Sequence, residues 1–332
     1  MTVEIGLIVG SLLILFCTAV GVAVISIAFY SFFAGRIARL APSTRANFLF
    51  AWSTAPVWLS ITLLLLVLSP SIAHALGFGI DHCHDHLHHI HLCVIHTPWL
   101  VGGMVEWTIL ASLVVLGLAW LTAAATRVNM TRDMLEMLYS LSRPKDDSQS
   151  VRVVLSQRHF VFTAGILRPR IFLSSRLLES ISPSELETVI AHEHAHQRRW
   201  DGMRLFVADI LCGLHYSPVR RRLLADLHLA VEQACDEVAA GQSGDRLQVA
   251  ETILRLTRLI GSSAPCMTSV KAAFTGSDTA QRVEGLLRPP IPWRPAVSVW
   301  VSLLAAGLLM LGLASNDWWH HSTESLLDHF LD

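Results

Sequence analysis

The sequence is short of charge. Only 15% of its 332 residues are Asp, Glu, Lys or Arg, against about a quarter in an ordinary soluble domain. The shortage is uneven: every Lys and Arg falls within 36–45 or 127–294, and none lies between Ala46 and Thr126 or after Arg294. Such gaps exclude a fully soluble chain, and the mean hydropathy of +0.49 agrees. A basic field is also missing. A net charge of −1 gives no general attraction for phosphate backbones, so no direct nucleic-acid partner is expected. Six cysteines are too few and too scattered for a disulfide scaffold. There is no internal repeat, and the only low-complexity tract is a histidine-rich loop.

What the sequence does have is four apolar stretches long enough to cross a bilayer, which takes about 20 residues. They run roughly over 5–34, 48–68, 99–125 and 296–314. The first lacks a basic n-region and is too long for a signal peptide, so it reads as a span. The positive-inside bias orients all four consistently. Arg36, Arg39 and Arg45 follow the first span, no Lys or Arg separates the second from the third, and the other 22 cations lie in 127–294. The expected topology is that of a multi-pass bacterial inner-membrane protein. Both termini lie outside, and the segment 126–294 is cytoplasmic. Residues 1–125 then form a three-span region with an outer loop at 73–97, and 295–332 supply the fourth span and a short outer tail.

The cytoplasmic segment reads as α+β. An amphipathic helix is expected over 130–142, then short strands at 151–155, 160–163 and 170–174. Ser182-Pro183-Ser184-Glu185 is a capping box with Pro at the first helical position, which starts a helix over 183–199. Further helices are expected at 201–214, from Ser217-Pro218 to Gly241, and from Asp245 to Gly261.

The 183–199 helix carries His192-Glu193-His194-Ala195-His196, an H-E-x-x-H pattern. Spaced i and i+4, His192 and His196 share a helix face and can bind one zinc ion. Glu193 sits beside that face, placed to act as general base. A catalytic zinc needs a third protein ligand, and Glu232, on a later helix, is the favoured one. Asp236, one turn beyond it, is placed to accept a hydrogen bond from a liganding imidazole. Asp201 is either a partner of this kind or a helix cap. His215, Tyr216 and His228 are possible oxyanion helpers, although each is more often structural.

These residues belong to a wider pattern. Leu167-Arg168-Pro169-Arg170-Ile171-Phe172-Leu173, Leu178, Ser182 to Leu186, and Ala191 to His196 with Arg199 and Asp201 resemble the antibiotic-sensor metallopeptidases. These are the signal-transducing membrane proteases of β-lactam and methicillin resistance. His215-Tyr216-Ser217-Pro218, Glu232 to Glu237, Phe274 and Arg282 to Leu287 extend the resemblance over roughly 125–315. It implies an α-helical four-span membrane protein with a cytoplasmic α+β gluzincin-type domain. Zinc would be held by His192, His196 and Glu232, with Glu193 as catalyst. The substrate would be a cytoplasmic regulatory protein such as a transcriptional repressor. Only about 18 residues follow the fourth stretch, against the large penicillin-binding domain of those sensors, so the expected input is not a β-lactam.

The loop between the second and third spans supplies another candidate input. His82, His84, His86, His88, His89, His91 and His96 accompany Cys83 and Cys93. Imidazole and thiolate suit a second transition metal. The cysteines could instead form a disulfide in an oxidising compartment, and the loop could respond to pH or be merely polar. Glu106, inside the third span, is either a functional intramembrane acid or a side chain that snorkels to the interface. The leading reading is a membrane-bound zinc metalloendopeptidase that relays an outside signal by cutting a cytoplasmic protein. One rival is a housekeeping protease of the heat-shock type, in which the zinc motif usually follows the second span. The other is a non-proteolytic metal-binding or transport protein, against which the intact Glu193 argues.

Overall fold

The computed structural model describes residues 2–77, 104–145, 150–261, 276–290 and Ser322. Its elements run α1 (Thr2–Ile37), α2 (Pro42–Ala75), α3 (Met104–Leu141), β1 (Ser142–Pro144), β2 (Val151–Val154), β3 (Val161–Ala164), β4 (Arg170–Ser174), α4 (Ser175–Ser180), α5 (Pro183–Arg199), α6 (Asp201–Leu211), α7 (Ser217–Ser243), α8 (Arg246–Ile260) and α9 (Gly276–Leu287). The chain divides into two compact units, one of residues 1–28, 55–123 and 294–332, the other of residues 29–54 and 124–293.

Three helices among the described residues are long and apolar enough to cross a membrane: Ile8–Ile37, Pro42–Ala75 and Leu110–Leu141. Ile14 and Val67 pack together with Leu13, Leu63, Leu64 and Leu68. Pro56 and Pro70 lie inside α2, where each removes one backbone donor. Spanning helices tolerate such breaks, and separately the Ser60 hydroxyl donates to the Pro56 carbonyl. The fourth apolar stretch and the outer histidine loop lie outside the described residues. One expectation is corrected. The amphipathic helix predicted at 130–142 is not a separate element, because α3 continues unbroken to Leu141. No Gly or Pro interrupts 104–141 except Gly117, so nothing in the local chemistry ends the helix.

The second unit holds a four-stranded sheet in the order β1-β2-β4-β3, with β2 and β4 parallel and the outer pairs antiparallel. Gly165 makes the turn out of β3 at φ +120°, where an added Cβ would lie 2.7 Å from the Arg168 carbonyl. Ile171, Leu173, Leu177, Val151 and Val189 form the core between sheet and helices. A second cluster joins the ends of α1 and α2 to α6 and α7 through Tyr30, Ile37, Ala46, Leu49, Leu205, Ala208, Leu223, Leu227 and Val231. Polar contacts reinforce it: the Tyr30 hydroxyl donates to Asp226, and Arg45 donates to the Gln233 side chain. A third cluster brings Leu286 and Val283 of α9 onto α7 and α8.

The helix signals operate as expected. Ser182 and Glu185 form the reciprocal capping box, and Asp245 caps α8 by accepting from the Leu247 and Gln248 amides. Sequence reading does not anticipate the strand at 142–144 or the helices at 175–180 and 276–287, although Ser174 caps the first of those helices by accepting from the Leu177 amide.

Candidate metal centre

The centre is built on α5 and α7. His192 and His196 stand one turn apart on α5, with their Nε2 atoms 3.1 Å from each other. Glu232 of α7 comes within 3.5 Å of both, Oε2 facing His192 Nε2 and Oε1 facing His196 Nε2. Ligands about 2.0–2.1 Å from a tetrahedral zinc must lie roughly 3.3–3.4 Å apart. Ring nitrogens 3.1 Å apart, each with a Glu232 oxygen 3.5 Å away, are spaced to suit one such ion.

The other ring nitrogens point away from the triangle and are held. His192 Nδ1 lies 3.0 Å from Asp236 Oδ1, and His196 Nδ1 lies 3.1 Å from Asp201 Oδ2. Donating at Nδ1 leaves the Nε2 lone pair free for a metal on each ring. Asp201 is thus an imidazole partner. It makes no side-chain capping bond, and it is 1% exposed. The break that puts it there is Trp200, whose backbone is left-handed at φ 56°. A bulky residue in that region is strained, and here the strain coincides with the turn that brings α6 back to the active-site helix. Arg199 and Arg204 complete the surroundings of Asp201 at 3.2 and 3.4 Å.

Electrostatics favour a cation between these groups. Burial works against the His192 imidazolium, yet the Asp236 and Glu232 carboxylates outweigh it and push His192 up to about 10. Burial would raise Glu232 and Asp236 as well, but the Arg282 guanidinium and the neighbouring imidazoles hold both below the usual carboxylate range. Cys235 Sγ lies 3.4 Å from both His196 Nδ1 and Asp201 Oδ2. His196, Asp201 and Cys235 have a second metal-compatible spacing. We assign this group to orienting His196, because its Nδ1 is committed to Asp201 and burial first, then Asp201, hold the Cys235 thiol in its protonated form.

Glu193 is 7% exposed. The Thr163 hydroxyl of β3 donates to its Oε2 at 2.7 Å and to its backbone carbonyl at 3.2 Å. This contact spans 30 residues, and no motif announces it. Arg282 of α9 is buried and pairs with both Glu232 and Asp236. It stands within the segment that carries the family resemblance, on the buried face of α9 with Thr279 and Leu286, and no local pattern singles it out. His215 lies apart from the triad, its Nε2 3.2 Å from the Ser53 carbonyl of α2, and Tyr216 is 60% exposed. His228 is one turn before Glu232 on α7. Glu106 lies near the start of α3. His82, Cys83, His84, His86, His88, His89, His91, Cys93 and His96 lie outside the described residues.

A mostly helical chain with three membrane-length apolar helices and a His–His–Glu triad has the makings of a membrane metallopeptidase. The comparison with known families agrees: the family described as BlaR1 peptidase M56 matches residues 86–286, more than half of the chain. The chain belongs to that family of membrane peptidases. No curated protein matches it.

Proposed function

We propose that this protein is a membrane-bound zinc metalloendopeptidase that relays an extracytoplasmic signal by cutting a cytoplasmic regulatory protein. The observation that carries the chemistry is the triangle of His192, His196 and Glu232, whose edges suit one tetrahedral ion with a fourth position open. Zinc bound there supplies a Lewis acid that activates water and polarises the scissile carbonyl. The rest of the work belongs to the chain. Glu193, aimed by Thr163, takes a proton from the attacking water and returns it to the leaving amine. Asp236 and Asp201 keep His192 and His196 in the tautomer that presents Nε2. Among the described strands β3 pairs only with β4, and it carries Thr163. A substrate added to the outer edge of β3 would run past Glu193 with its backbone hydrogen-bonded in register.

The distribution of Lys and Arg supports a cytoplasmic peptidase unit with the N-terminus outside, and three membrane-length helices precede the peptidase sheet. That order favours the signalling reading over a heat-shock-type protease. The ligand-rich loop at 82–96 remains the proposed sensor, with a transition metal as its input. The test is the full chain purified with and without Glu193→Ala, compared for zinc content and for cleavage of proteins from the producing cell. The variant is expected to keep its zinc and lose at least 10²- to 10⁴-fold in cleavage, the worth of a positioned general base. A Glu193→Ala chain that cuts like wild type refutes the mechanism.

A further inference from the structure

The third ligand of the metal centre does not stand alone. Arg282 is 6% exposed, and all three of its guanidinium nitrogens are engaged. Nε and Nη2 grip the two oxygens of Asp236 at 2.8 and 2.7 Å, and Nη1 reaches Glu232 Oε2 at 2.9 Å. One planar group thus spans two carboxylates a helical turn apart on α7. Here one partner is the proposed metal ligand, and the other holds the proposed ligand His192.

The arrangement has a geometric consequence. The Arg282 contact holds Glu232 Oε2, the oxygen that faces His192 Nε2, and so sets the rotation of the carboxylate head that presents Oε1 to His196 Nε2. Arginine suits this task because its fork is rigid and always charged, whereas lysine offers a single mobile point charge. The helix that delivers Arg282 is itself anchored. Arg246 donates to the Leu286 and Gly285 carbonyls at the end of α9, and Gln233 donates to the Gln281 carbonyl.

Taking His192, His196 and Glu232 as the ligand set, we propose that Arg282 is a positioning residue of the metal centre. It fixes the Glu232 carboxylate toward the two imidazoles and Asp236 on His192, so the site is complete only when α9 is docked.

The experiment uses the full chain in detergent, loaded with Zn²⁺ for affinity and with Co²⁺ for its visible spectrum, which distinguishes four- from five-coordinate geometry. Arg282→Lys and Arg282→Met are compared with Val283→Ala, which loosens α9 packing without touching either carboxylate. The Arg282 variants are expected to bind zinc about 10- to 100-fold more weakly and to alter the cobalt spectrum. Val283→Ala should lower thermal stability and leave both readouts unchanged. Wild-type affinity and spectrum in the Arg282 variants overturn the proposal, as does an equal loss in Val283→Ala. It is likewise overturned if neither Arg282 variant accumulates as folded protein while Val283→Ala does, since Arg282 would then serve folding. A wild-type chain that takes up no zinc defeats the ligand reading beneath it, which is a separate result.

Discussion

Residues 29–54 and 124–293 bury ionisable groups, whereas residues 1–28 and 55–123 turn large apolar side chains outward. In the first set Glu193, Asp201, Asp236 and Arg282 are all buried, and each meets a hydrogen-bond donor or an opposite charge. In the second, Val24, Ile25, Leu65, Val115 and Leu116 are 56% to 64% exposed. In water that surface would be a liability, but against lipid it carries no penalty. The difference lies in what each region demands of a residue. A buried charge needs one particular partner at one particular distance, because removing the partner leaves the charge uncompensated. A lipid-facing position needs only to be apolar. The two regions should therefore respond very differently to single substitutions.

The widest separation is expected at the triad. His196→Ala or Glu232→Ala should lose both stoichiometric zinc and substrate cleavage, while Leu116→Ala, on the outward apolar face of α3, should leave both at wild-type levels. Metal content per chain and a cleavage assay on the same preparations measure the contrast. Equal losses at Leu116 and His196 would erase the distinction between the regions. Next in size comes Asp201→Asn. It preserves shape but removes the charge facing His196, and partners of liganding histidines commonly account for 10- to 100-fold in metal affinity. Competition with a chelator should show a loss of about that size, and wild-type affinity would make Asp201 merely structural.

The histidine-rich segment at 82–96, proposed above to face outside, extends the comparison. Replacing His82, His84, His86, His88, His89 and His91 by Ala should remove any response of cleavage to added copper, zinc or nickel and leave the inner zinc site filled. A sensor metal must prefer one arrangement of the spans, and a tenfold preference corresponds to about 1.4 kcal/mol. Cells grown across graded metal and scored for substrate cleavage measure it. Identical responses in wild type and mutant would leave the loop without a sensing role.

The sequence makes some of this visible and hides the rest for physical reasons. The triad was legible because helical spacing is a local rule: His192 and His196 are four apart, and Glu232 and Asp236 repeat that interval. The helix starts at Pro183, Ser217 and Arg246 were legible because capping and proline chemistry act within one turn. Arg282, Thr163 and the docking of residues 30–49 onto α6 and α7 were not. Each depends on a contact between distant segments, 46 residues apart for Arg282 with Asp236 and 196 for Tyr30 with Asp226. No pattern within one segment encodes such a pairing. The break at Trp200 was hidden for a different reason, because its left-handed backbone is a conformation that tryptophan rarely adopts.

Thr163 provides the finest test, since it separates a residue that aims the general base from one that only packs the sheet. Its hydroxyl donates to Glu193 Oε2, and it sits at the register position opposite Ile171 of β4. Thr163→Val keeps the β-branched shape that a strand favours and deletes only the donor. One hydrogen bond of ordinary net strength is worth about 0.5–1.5 kcal/mol, so kcat should fall roughly 2- to 10-fold. KM and zinc content should stay near wild type, because neither the ligands nor the substrate edge has changed. Thr163→Ser restores the hydroxyl and should recover most of the rate. If valine and serine behave alike, the contact with Glu193 contributes to packing and not to catalysis, and the burial of Glu193 must be explained by the sheet alone.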